Sequence, residues 1–220
     1  MNTTFEKVKS QNTIYNQLNR IANVLMINAS FIDNPGLLNG KMGIAIFFYK
    51  YGLQSRNKVF TDYAGILIDE NYEEINNNTP VDFANGLTGI GWGIEYLVKN
   101  RFIDANTDEV LADIDKAVYS KISSNPILLD SGNDLFGYGF YCITRLKGLD
   151  DDSLNTMIKK EYLIYLTDEC EKLLVYKRYL EFNILQLNVE SVNSLLWFLL
   201  EVERIHLFPT KVNKILKYLP

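Results

Sequence analysis

Three copies of a seven-residue pattern restrict what this chain can fold into more than any other feature. Asn39-Gly40-Lys41-Met42-Gly43-Ile44-Ala45, Asn85-Gly86-Leu87-Thr88-Gly89-Ile90-Gly91 and Asn133-Asp134-Leu135-Phe136-Gly137-Tyr138-Gly139 align without gaps, 46 and then 48 residues apart. The common form is Asn-(Gly/Asp)-x-x-Gly-apolar-(Gly/Ala). Each copy runs on into an apolar stretch, Ile46 to Tyr49, Trp92 to Val98 and Phe140 to Ile143. A period of this length marks stacked supersecondary units that bury their apolar faces against their neighbours.

The segments between the copies have helical periodicity. Thr107 stands ahead of Val110, Ile114, Ala117, Val118 and Ile122, spaced as one face of an outer helix. Tyr15, Leu18, Ala22 and Leu25 share a face of an amino-terminal helix, and Asp152-Ser153 can cap another running to about Lys177. Asn188 to Glu203 supplies an apolar helix without the glycines, and Pro209-Thr210 opens a short last helix. No period-2 strand bounded by turn signals occurs. The expectation is an all-α chain of about eight helices in antiparallel hairpins, one domain over residues 1–220 with about four hairpin repeats, the fourth degenerate.

Glycine in a helix interior costs about 0.8 to 1 kcal/mol relative to alanine, so something must come close to these helix starts. Glycine at the entry permits a positive-φ turn, and it lets a neighbouring backbone or a ligand approach the first-turn amides. Two roles follow, tight helix packing or an amide-lined cavity, and the same glycines can serve both.

At these residues the sequence resembles the lanthionine synthetase C-like (LanC-like) family. The resemblance rests on Gly40 and Gly43, on Gly86 and Gly89 with Asp82-Phe83-Ala84-Asn85 before them, and on Gly137 with Gly139, Asp134 replacing a glycine in the third copy. It covers about residues 30 to 147 by motif and the remainder by helix pattern. It implies a partial α/α toroid, inner helices nested within outer ones, with Gly-x-x-Gly turns at the inner-helix starts. It also implies a zinc-bound thiolate that adds to a dehydrated Ser or Thr of a peptide. The family's Cys-His-Gly motif has no counterpart here, so no metal ligand carries over and no cofactor is expected. A full toroid has about seven helix pairs and, at this period, needs more than roughly 300 residues. A chain of 220 residues has room for about four, and an open half-ring would expose apolar edges that favour self-association or a partner.

Candidate sites are few. The second copy is the richest, with Asp82, Asn85, Gly86, Gly89, Trp92 and Glu95 as binding residues, joined from the third by Asn133 and Asp134; Gly40, Gly43, Gly137 and Gly139 are structural. Glu95 interrupts an apolar run between Trp92 and Tyr96. Aromatic side chains beside carboxylates, here Glu95, Asp82, Asp130 and Asp134, are also what a glycoside-cleaving site would show. Against this, the three aspartates suit helix starts, and a lone glutamate is more often a rim residue. Cys142, Cys170 and His206 could bind zinc only if three separate helices converged, and they read more simply as two packed thiols and a helix-end histidine. Asp150-Asp151-Asp152 reads as a solvated loop. Tyr162, Tyr165, Tyr176 and Tyr179, with Lys159, Lys160, Lys172, Lys177 and Arg178, form one basic aromatic region, read as the wet side of an outer helix or as a partner face.

Composition narrows the partners. With 22 Lys+Arg against 27 Asp+Glu, the net charge of −5 disfavours nucleic acid and anionic lipid. Neither a secretory signal nor a membrane-spanning run is evident, so a cytoplasmic protein is expected. The reading is a LanC-like protein without a recognisable zinc site that binds a peptide or assists a partner in modifying one, with no catalytic residue assigned. The alternatives are a catalytic domain whose metal lies outside this chain, and a carboxylate-dependent carbohydrate-active enzyme on a similar toroid.

Overall fold

A computed structural model describes the backbone of residues 2–124, 132–147, 154–179 and 189–217, and the side chains of residues 13–123, 137–147, 159–172 and 193–217. Among these the chain is all-helical, with ten α-helices, one 3-10 turn and no strand, so the all-α expectation holds with more helices than expected. No described helix is long and apolar enough to cross a membrane. Two compact units divide the chain, residues 1–78 and residues 79–220.

The first unit contains α1 (Asn2–Asn28), a 3-10 turn (Ala29–Phe31), α2 (Lys41–Ser55) and α3 (Lys58–Glu74). Only Arg56 and Asn57 separate α2 from α3. Arg56 takes the left-handed conformation (φ 54°) that ends α2, and the Asn57 side chain accepts the Val59 amide to start α3. The link is short enough to make the pair an antiparallel hairpin. Its contacts run in opposite directions along the two helices: Tyr51 on Phe60 (4.9 Å between ring centres), Phe48 on Tyr63 (5.1 Å), and Lys41 with Glu70 and Glu74. α1 leaves Ile14, Ile21, Val24 and Ile27 between 48% and 71% exposed.

In the second unit α4 (Leu87–Lys99), α7 (Gly132–Leu146) and α9 (Val189–Arg204) lie side by side, as do α6 (Ala112–Ser124), α8 (Leu154–Tyr179) and α10 (Pro209–Leu216). Contact register gives their sense. Gly91 meets Tyr141 and Glu95 meets Arg145, so α4 and α7 run parallel; Gly139 meets Phe198 and Lys147 meets Glu201, so α7 and α9 do too. The second row behaves alike, Asp115 with Lys159 and Tyr119 with Tyr162, then Asp168 with Lys211 and Glu171 with Lys214. From α6 onward, successive helices alternate between two layers, each internally parallel.

The periodicity that promised one helix from Thr107 to Ile122 is broken. A short α5 (Thr107–Val110), capped by the Asn106 side chain, gives way at Leu111 to α6. Asp108 on α5 and Asp115 on α6 both reach Arg145.

Candidate functional site

Two helix entries, one in each unit, share a backbone design. The Lys41 and Met42 amides donate to Asn34 O and Pro35 O, and the Leu87 and Thr88 amides donate to Pro80 O and Val81 O, each bond reaching back seven residues over 2.9 to 3.4 Å. In each loop a side-chain oxygen closes a turn on a backbone amide, Asn34 Oδ1 accepting Gly36 N two residues on and Asp82 Oδ1 accepting Asn85 N three residues on, both at 2.8 Å. Gly40 and Gly86 are the N-caps, in extended backbone, and neither needs a side-chain cap because the loop carbonyls serve the helix amides. A Cβ on Gly40 would strike the backbone of Asn34 and Gly36, and one on Gly86 that of Pro80 and Asp82. This corrects the expected positive-φ turn, since no described glycine has positive φ. Close approach alone requires them, and two first-turn amides at each entry are already committed to protein carbonyls.

The third copy differs. α7 begins at Gly132, so Asn133 and Asp134 fall inside its backbone span, with side chains outside the described residues, and Asp130 lies outside altogether. Gly137 and Gly139 are therefore interior to the helix rather than at its mouth. Gly137 fits against Phe83, and Gly139 receives the ring of Phe198 from α9. Gly91, the counterpart of Gly139 in the second copy, receives the ring of Tyr141 from α7. In the second and third copies the last glycine of the motif is thus a socket for the next parallel helix.

Those parallel helices carry a strip of aromatic rings, each partly exposed. Trp92 stacks on Tyr96 at 5.3 Å and on Phe140 at 5.7 Å, Phe140 meets Trp197 edge-on at 4.6 Å, and Phe102 continues beyond Tyr96 at 6.5 Å. Beside the strip opens a cleft of about 390 Å³. Trp92, Tyr96 and Phe140 give it aromatic walls, Lys99 and Lys147 are its exposed lining residues, and Glu95 is the one buried lining residue, at 8% exposure.

Glu95 is not the unpartnered rim carboxylate expected. Arg145, only 1% exposed, donates from Nη1 to Glu95 Oε1 and to Thr107 Oγ1 (3.2 Å), and from Nη2 to Asp108 Oδ1 (2.7 Å) and Asp115 Oδ2 (2.8 Å). Tyr141 Oη donates to Asp115 Oδ1 at 2.7 Å, and Lys159 Nζ lies 3.5 Å from Asp108. Two cations thus face three carboxylates. Burial opposes the Arg145 charge, but hydrogen bonding and the field of Asp115, then Tyr141 and Glu95, outweigh it and hold the guanidinium firmly protonated. Burial and then the Asp115 carboxylate push the Tyr141 phenol well up, keeping it a donor. Lys159 moves the other way, lowered by burial and by Arg145. At 2% exposure it is no wet-side lysine, which corrects that part of the outer-helix reading; Tyr176, Tyr179, Lys177 and Arg178 have side chains outside the described residues.

Of the expected site residues, Trp92 and Glu95 line the cleft, whereas Asp82 and Asn85 are spent on the helix-entry loop. Gly86 caps that helix and Gly89 is buried inside it. Arg145, Asp108, Asp115 and Phe140 were not foreseen. Arg145 carries the signal that flagged Glu95, a charge interrupting an apolar helix, and it stands four residues after Tyr141 on the same face. Cys142 and Cys170 are fully buried free thiols whose pKa burial pushes up, and His206 lies in the α9–α10 turn with φ 56°. Among the described residues no group of three or more His, Cys, Asp or Glu side chains is placed to hold a metal ion, and Asp150 to Asp152 lie outside them. No protein-family model, no curated protein and no solved structure matches the chain.

Proposed function

We propose that this chain is a LanC-like protein, a partial α/α toroid without a recognisable zinc site, that binds a peptide or assists a partner in modifying one. The observation that carries the reading is the cleft at Trp92, Tyr96 and Phe140. It opens on the layer of parallel helices whose glycine sockets came from the repeated motif. In the proposed toroid α4, α7 and α9 are inner helices and α6, α8 and α10 outer ones, so the aromatic strip faces the ligand. Rings that are already stacked offer apolar surface at little further cost in side-chain entropy, as a peptide platform requires.

The state of Glu95 favours binding over acid–base chemistry. Its carboxylate is held by Arg145, and Asp108 and Asp115 are held by the same guanidinium, so none of the three stands free to transfer a proton to a ligand. The exposed apolar residues of α1 are in keeping with association through a partner or a second copy.

The test is a pair of measurements on the purified protein. Titration with a panel of short apolar and aromatic peptides, followed by calorimetry, is expected to give saturable binding that Trp92→Ala removes while thermal melting confirms a folded variant. Metal analysis is expected to give well under one zinc per chain. Stoichiometric zinc lost in Cys142→Ala or His206→Ala would overturn the non-catalytic reading in favour of the cyclase.

A further inference from the structure

α1 carries apolar residues on two sides, and the first unit uses one of them. Ala22 is fully buried, Leu25 lines a groove with Phe47 of α2, and the Tyr51 hydroxyl of α2 donates to Asn19 Oδ1 at 3.4 Å. Ile14, Ile21, Val24 and Ile27 lie on the other side and stay exposed, and Phe31, in the 3-10 turn that continues the helix, is 81% exposed. Ile14 and Ile21 are seven residues apart, as are Val24 and Phe31, and Val24 follows Ile21 by three. This is the alternating three-and-four spacing of a coiled-coil seam, interrupted only at Gln17 and Asn28. A helix side left to water needs no such spacing.

Charge and area say what covers this side. Arg20 is the only charged residue between Thr13 and Phe31, in a chain of which 22% is charged. A helix lying on a membrane surface would flank its apolar stripe with Lys and Arg, and a charged peptide would find a single residue to pair with. A second copy meets a face as bare of charge as its own, so two chains of net charge −5 can touch here without facing like charges. The stripe, with Leu38 beside Leu25 in the same groove, offers on the order of 750 Å² of exposed surface, close to the ~800 Å² that each partner gives to a standard stable interface.

We infer that this face joins two copies of the chain through antiparallel pairing of α1 with its own counterpart. With the two-fold axis between Ala22 and Asn23, Ile14 faces the partner's Phe31, Ile21 faces the partner's Val24, and Gln17 faces the partner's Asn28. Each end of the seam then holds one phenylalanine and one isoleucine. The two amides that interrupt the stripe meet each other, where they can hydrogen-bond, rather than an apolar side chain. A parallel pair would crowd both Phe31 rings into one layer and align the two helix dipoles. The aliphatic stem of Arg20 lies along the seam's edge, beside the partner's Ile27. The pairing does not depend on what the cleft of the second unit binds.

Sedimentation of the whole protein is expected to show twice the mass of one chain, with a dissociation midpoint in the micromolar range, as suits an interface of this size without a charged anchor. Ile21→Glu sets a carboxylate against the partner's Val24 and is expected to weaken the dimer at least about 100-fold. Its melting temperature should match that of the unmodified chain at concentrations where both are monomeric, because Ile21 is exposed within its own chain. Ile14→Cys protein oxidised together with Phe31→Cys protein is expected to give a disulfide-linked mixed dimer, and neither variant alone should link to itself. Cys142 and Cys170 are fully buried and do not compete. The mass of one chain up to hundreds of micromolar would overturn the inference, as would a dimer indifferent to Ile21→Glu. Self-linking of the Phe31→Cys protein, or no mixed product, would overturn the antiparallel arrangement. A monomer that melts several degrees lower in Ile21→Glu would show the stripe covered within its own chain, and the second copy would be withdrawn.

Discussion

Each unit buries a cation on a helix that carries the repeated motif, and the two are held in different ways. In residues 1–78, Lys41 is 2% exposed and reaches Glu70 and Glu74, whose side chains are 34% and 40% exposed. Both partners lie on α3, one turn apart, so a single helix pair completes the arrangement. In residues 79–220, Arg145 is as deeply buried, but its carboxylates come from α4, α5 and α6 and are only 10%, 35% and 15% exposed. The helix entries beneath are built alike, with the same seven-residue hydrogen bonds and the same glycine cap. The repeat therefore specifies backbone approach, while the charge network is particular to each unit. The carboxylates that hold Lys41 keep part of their surface in water, whereas Glu95 and Asp115 are largely buried and depend on the guanidinium.

Removing Arg145 should have the largest effect. Arg145→Met leaves Glu95 and Asp115 buried without a cation, and unfolding in urea is expected to show a loss of about 3 to 5 kcal/mol. Adding Glu95→Gln and Asp115→Asn should recover part of it. A loss below about 1 kcal/mol would mean that the second unit tolerates its carboxylates as the first does, and the contrast would disappear. Next come the shared entries. Gly40→Ala and Gly86→Ala each drive a methyl into loop backbone rather than a flexible side chain, and each should cost about 1 to 3 kcal/mol. Similar losses at both sites would sharpen the view that the entries are one device used twice; a silent Gly86→Ala would show that the second loop yields. Lys41→Met should cost least, about 1 kcal/mol, because Glu70 and Glu74 regain water when their partner leaves. If it costs as much as Arg145→Met, exposure of the partners is not what separates the two units.

What sequence alone revealed follows the same division. Spacing and apolar runs disclosed the helices and the shared motif, because periodicity and glycine placement are local constraints written into neighbouring residues. Trp92 and Glu95 could be picked out because an aromatic and an acid interrupted one apolar run. Arg145 and Asp115 were not, since their meaning depends on a partner 30 residues away, and spacing along one helix carries no such information. The interruption between α5 and α6 was missed for a related reason. Leu111 continues the apolar face and is fully buried, and no glycine or proline marks the step there. Asp82 was assigned to binding, but its side chain closes a turn three residues long, a role that its position before Asn85-Gly86 could equally have suggested.

The order in which Arg145 and its partners occur along the chain has a consequence for biosynthesis. Translation delivers Glu95, Asp108 and Asp115 first, and the guanidinium that pairs with all three follows 30 or more residues later. Until it emerges, three like charges destined for one point repel one another and hold their water, so α4 and α6 have no reason to close around them. The arrival of α7 supplies the cation together with Tyr141 and its fit to Gly91. A nascent chain halted before residue 145 would thus lack the cation that its three carboxylates share, and one extended past it would gain that cation and its packing in the same step.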